Sequence, residues 1–188
     1  MGQPLLVIAI GLMVLSLSSG CIMGGDAKGV ANGLQTIRST YVTAGLLAPA
    51  TVSDRLAYSN ELLSFRKRIQ EAGGTQKGTL NDYVDGSLSL IAMQETVEKG
   101  NEELENAAST LFDCSMNGFA GKALLFFKTA REKSEMAHKS FQRVLENAEI
   151  ANELGVDYLQ NAVTTTQGTT PAYAQRAEDI KISCGNTS

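Results

Sequence analysis

Few side chains in this 188-residue sequence could do chemistry: it contains one histidine and three cysteines. The histidine, His138, follows Glu135 at the spacing E-x-x-H, which on a helix puts both side chains on one face. Di-iron bundles use two such pairs with two further glutamates pointing into the core. A chain with a single histidine cannot complete that set, so His138 is read as a partly exposed helical residue beside the apolar row of Ala137 and Phe141. No CxxC pair, CxxCH, GxSxG turn or GxxxxGK[ST] loop occurs. Zinc, iron–sulfur, attached haem, esterase and phosphate-loop chemistries therefore have no sequence support. No catalytic, cofactor-binding or metal-binding residue is assigned, and no enzymatic activity is expected.

The cysteines are more informative. All 16 Lys/Arg and all 20 Asp/Glu lie after position 25, so the N-terminus is a charge-free block. Within it, Leu5 to Leu17 is a 13-residue apolar run, the length of a signal-peptide core and short of the ~20 residues a membrane-spanning helix needs. Ser18, Ser19 and Gly20 then supply small side chains, and Cys21 follows. This stretch resembles the lipobox of prokaryotic lipoproteins, bacterial or archaeal, although the Leu usual at position 18 stands one residue earlier, at Leu17. The resemblance implies removal of residues 1–20 and a diacylglyceryl group on Cys21, with 21–26 as a lipidated tether. Two other readings stay open: an ordinary cleaved signal peptide, or an uncleaved anchor from Pro4 to Met23. All three place the remainder outside the cytoplasm, on the cell membrane or outer membrane if anchored.

With Cys21 taken by lipid, Cys114 and Cys184 remain, in a compartment where disulfides persist. A bridge between them would close a loop worth roughly 4 kcal/mol by chain entropy. Two separate buried thiols are the alternative. Net charge is −4 with acids and bases interspersed, and the longest basic run is Arg66 to Arg68, which argues against a nucleic-acid partner.

Apolar residues recur at helical spacing throughout the chain after the tether, which predicts an all-α fold. The rows are Val30, Leu34, Ile37, Tyr41; then Tyr58, Leu62, Phe65, Ile69 behind candidate cap Ser53; then Leu80 to Leu111 behind cap Thr79; then Phe119, Ala123, Phe126, Ala130, Ala137, Phe141, Val144. A turn at Asn152–Asp157 is required to carry Cys184 back beside Cys114 at 1.5 Å per residue. The expectation is one domain over 27–184, with a tail at 185–188. It is an antiparallel up-down bundle of four arms, 27–72, 79–113, 118–152 and 157–184, with breaks near Pro49 and Pro171. The alternative is five or six separate helices, with those breaks as true reversals. The acidic stretch Glu95–Asn106 reads as a solvated face.

The function expected is that of a membrane-anchored helical-bundle lipoprotein contacting an envelope protein, as an interaction module or a structural or accessory component. The alternative is a small-molecule or sensory domain with ligand between the helices, near Tyr58, Tyr83, Gln94, Asn101 and Tyr158.

Overall fold

The computed structural model describes residues 26–72, 74–109 and 118–185. The expected signal segment, Cys21, residues 110–117 with Cys114, and the tail after 185 lie outside the described residues, as does the side chain of Cys184. The described residues form six α-helices and no strand: α1 (Ala27–Tyr41), α2 (Val52–Ala72), α3 (Lys77–Ser109), α4 (Gly118–Leu145), α5 (Ala148–Leu154) and α6 (Val156–Gly185). A single 3₁₀ turn, Gly74–Gln76, leads into α3. The fold class is all-α.

The α3–α4 pair is the spine, the most closely packed pair of helices among the described residues. On α4 the buried residues Ala120, Ala123, Phe127, Ala130, Ser134, Ala137, Phe141 and Val144 alternate at three and four. That 3.5-residue period is the pattern of helices wrapping around each other. Four alanines let α3 approach closely, and the two phenylalanines then need holes. Gly86 and Gly100 provide them, since a Cβ built at either would lie 2.6 Å from a Phe141 ring carbon and 2.7 Å from a Phe127 ring carbon. Phe127, rather than the expected Phe126, occupies the seam because it is the one aligned with Gly100.

Residue pairs fix the directions of the other helices. Arg55–Glu98 and Arg66–Asp85 set α2 antiparallel to α3, while His138–Gln160 and Phe127–Tyr173 set α6 antiparallel to α4. The main core gathers α1, α2, the first part of α3, the second half of α4, α5 and the start of α6. A smaller cluster, including Leu104, Ala107, Ala120, Phe127, Ala177 and Ile180, closes the far end where α3, α4 and α6 meet.

Several expectations need correction. Residues 27–72 are two helices, parted by a loop around Pro49, that pack on each other with the Tyr41 and Tyr58 ring centroids 5.9 Å apart. Pro171 breaks nothing and lies inside the continuous α6. Separate helices thus describe the chain better than four arms. The cap of α2 is Thr51, whose Oγ1 accepts from the Asp54 N–H at 3.1 Å and donates to its carboxylate at 2.8 Å, not Ser53. Thr79 sits inside α3, which begins at Lys77. The chain does turn at Gly155, which takes the left-handed conformation (φ 61°, ψ 38°) that glycine adopts without penalty and so ends α5.

Candidate functional site

Charge divides the spine. Within α3, seven acidic residues face two lysines, whereas α4 carries six Lys/Arg against two glutamates. Some of this imbalance is neutralised across the pair. Arg143 meets Asp82 at 2.6 Å, which raises the Arg143 pKa, and Lys122 lies 3.8 Å from Glu103. Glu98, in the stretch expected to be a solvated face, instead pairs with Arg55 of α2 at 2.7 Å. Burial alone would raise the Glu98 pKa, but hydrogen bonds from Arg55 and Gln94 hold it below the usual carboxylate range. Arg55 itself is 2% exposed, and its Nε and Nη1 have no partner.

Outside the core seam, each helix of the pair carries a second row at the same three-four spacing. On α3 it runs Asp85, Leu88, Ala92, Glu95, Lys99 and Glu102; on α4 it runs Lys122, Phe126, Thr129, Lys133, Met136, Ser140 and Arg143. Between these rows lies an open groove of about 520 Å³, lined by Leu88, Ser89, Ala92, Lys133, Met136 and Lys139 among others. Among the described residues Lys133, Lys139, Glu95 and Glu102 make no ion pair. The groove's edge at Asp85 is bonded to Arg66 of α2. On that flank α2 leaves Val52, Leu56 and Leu63 at 70, 64 and 49% exposure. Their spacing of four and seven puts them on one side of α2, about 120° around the helix from its core row of Tyr58, Leu62, Phe65 and Ile69. The result is a face across α2, α3 and α4 with apolar side chains and unpaired charges of both signs.

Two further grooves flank the stacked Phe127 and Tyr173 rings, whose centroids are 5.7 Å apart. One, of about 460 Å³, lies between α4 and α6 around Leu124, Arg131 and Pro171; the other, of about 360 Å³, lies between α3 and α6 around Asn101, Glu105 and Arg176.

The residues suggested for a ligand pocket are only partly assembled. Tyr58 and Tyr83 are buried near each other with Ser87, and burial pushes both phenol pKa values up, against the pull of the Arg38 charge. The Tyr83 hydroxyl and Ser87 Oγ have no hydrogen-bond partner. Gln94 instead bonds Glu98 at 3.2 Å, Asn101 lines the α3–α6 groove, and Tyr158 is half exposed under Arg38. The E-x-x-H pair is engaged elsewhere: Glu135 accepts from Arg131 at 3.1 Å, and His138 Nδ1 lies 2.8 Å from Gln160 Nε2. Among the described residues no group of three or more His, Cys, Asp or Glu could hold a metal ion, and no helix is long and apolar enough to cross a membrane.

The α2–α3–α4 face went unnoticed in the sequence, although the second three-four row on α4 was its signal. No family model, curated protein or solved structure matches the chain.

Proposed function

We propose that the chain is a lipoprotein whose helical domain, held outside the cytoplasm through Cys21, serves as an interaction or structural component of the cell envelope. The observation that carries the interaction reading is the α2–α3–α4 face, where Val52, Leu56, Leu63 and Met136 stand exposed beside unpaired lysines and glutamates. Apolar residues grouped this way are uncommon on a surface that meets only water and mark interaction sites. An anchor adds to this by confining the face to two dimensions and raising its effective concentration near membrane partners. The Cys114–Cys184 bridge is part of the same reading. What supports it is that Ala177 and Ile180, shortly before Cys184 in the chain, pack in one cluster with Ala107 and Ala120.

The ligand-binding alternative has one observation in favour, the unpartnered hydroxyls of Tyr83 and Ser87. Neither residue lines any of the three grooves described above, and all three grooves open at the surface.

The test joins fractionation to native electrophoresis of gently solubilised membranes. Cys21→Ser releases the protein from the membrane fraction. Leu56→Glu with Leu63→Glu leaves the melting temperature within a few degrees of the parent but shifts the protein out of its slower-migrating complex. A double variant that keeps both its stability and its complex contradicts the assignment of this face.

A further inference from the structure

We infer that the domain stands end-on to a lipid surface, with the end where α1 begins facing the bilayer and the end where α3, α4 and α6 meet pointing away. Two residue pairs give the direction of α1. Its first turn is held by Lys28 to Glu153 of α5 at 2.8 Å, and its last turn meets Tyr58 of α2 through the Tyr41 ring. Glu153 lies one short helix away from Asn147, which bonds Gln76 just ahead of α3. Tyr58, in the register set by Arg55–Glu98 and Arg66–Asp85, stands level with α3 residue 94. The chain therefore enters the bundle at the end where α2 stops, α3 starts and α4 stops. Leu104 and Ala107 of the far cluster lie about 40 and 45 Å along α3 from Lys77.

The orientation rests on the diacylglyceryl group proposed for Cys21, and it deepens that reading by naming the lipid surface the domain faces. The residues from Ile22 to Asp26 span at most about 18 Å when fully extended. That is less than half the distance between the two ends, so Asp26 cannot rise far enough for the far cluster to face the lipid.

Lying on its side would require a flank that binds lipid. A helix that lies in an interface has a broad apolar face and a polar face rich in Lys and Arg. The exposed Val52, Leu56 and Leu63 of α2 instead stand on a helix with exposed Asp54, Glu61 and Glu71. The net charge of −4 gives anionic headgroups no overall attraction either. The near end exposes Asp26, Lys28, Thr75, Glu146 and Glu149, and none of the exposed large apolar side chains among the described residues. It fits a hydrated headgroup surface that it faces without entering. The row of Leu63, Leu56 and Val52 then stands about 18–35 Å beyond the near end, so a partner meets it above the headgroups.

The test is energy transfer from a dye on the protein to acceptors on the headgroups of phosphatidylcholine vesicles, using the full chain purified from membranes and inserted through its anchor. The dye is carried by Thr75→Cys at the near end or by Lys181→Cys toward the end of α6, both exposed positions. The unsubstituted chain gives the background from its own cysteines. The expected result is at least threefold more transfer from position 75 than from position 181, and a smaller ratio once ten Gly/Ser residues are inserted between Gly25 and Asp26. Equal transfer from the two positions, more from 181, or a ratio that the insertion leaves unchanged overturns the orientation, and leaves the anchor standing if the chain floats with the vesicles. A chain that does not float with them overturns both.

Discussion

Replacing Gly100 by alanine separates the packing account from helix propensity. An alanine in a helix interior is favoured over glycine by about 1 kcal/mol, so an exposed glycine with free space around it should gain stability. Gly121 on α4 is such a site, with nothing within 4 Å of a built Cβ. At Gly100 the same Cβ would stand 2.7 Å from Phe127 Cε1 and 3.0 Å from Cδ1 and Cζ, against the 3.5–4.0 Å at which carbon atoms rest. The Phe127 ring is buried and stacked on Tyr173, so relief requires α3 and α4 to separate or the ring to leave its place. Overpacking of this kind costs about 1–3 kcal/mol. The propensity gain is common to both substitutions, and the difference between Gly100→Ala and Gly121→Ala isolates the clash at about 1–3 kcal/mol. Urea unfolding followed by helical circular dichroism measures it, and Phe127→Leu in the Gly100→Ala background should recover part of the loss, since the two residues touch. Gly100→Ala as stabilising as Gly121→Ala, with no coupling to Phe127, would refute the assignment of Gly100 as the hole for that ring.

Other outcomes follow from single side chains. Ser134 is fully buried in the α4 seam with an unpartnered Oγ, so Ser134→Ala should raise stability by about 1 kcal/mol in the same assay. Glu98→Ala strands the Arg55 guanidinium and should cost about 1–3 kcal/mol, less than a fully buried pair because Glu98 is half exposed, whereas Arg55→Met should lie within about 1 kcal/mol of the parent. Because the Glu98 pKa is lowered on folding, its contribution is complete above the ordinary carboxyl value and is lost as pH falls through the lowered one. A Glu98→Gln chain should therefore lose less stability on acidification across that window than the parent does. Pro171→Ala restores an N–H to the interior of α6 and should stabilise the chain by about 1–3 kcal/mol, read from its melting curve.

The helical class was legible because nearly every apolar run keeps a spacing of three and four. The end of α5 was legible too, since "NELGVD" contains a glycine at the one position that needs a left-handed backbone. Pro171 misled because its cost, about 3 kcal/mol in a helix interior, is outweighed by burial on both sides of it, at Val163, Thr170, Ala177 and Ile180. Adjacent phenylalanines 126 and 127 fit the seam about equally well by spacing; only the position of Gly100 on another helix chooses between them. On α3 the expected row of Leu80, Val84, Ser87, Ile91, Gln94, Val97, Asn101, Leu104, Ala108 and Leu111 was too narrow, because α3 packs against α2, α4 and α6 and buries Tyr83, Leu90 and Met93 as well. The candidate face was harder still. It depends on the register of three helices, which Arg66–Asp85 and Arg55–Glu98 fix only after folding.

The central claim, a lipid-anchored domain with its remaining cysteines joined, is tested most directly by the intact mass of the protein extracted from native membranes, with and without reductant. The account predicts a chain beginning at Cys21 with a diacylglyceryl group added, gaining two hydrogens on reduction. A chain cut elsewhere without lipid, or one that keeps residues 1–20, would contradict the anchor, and a mass unchanged by reductant would contradict the bridge.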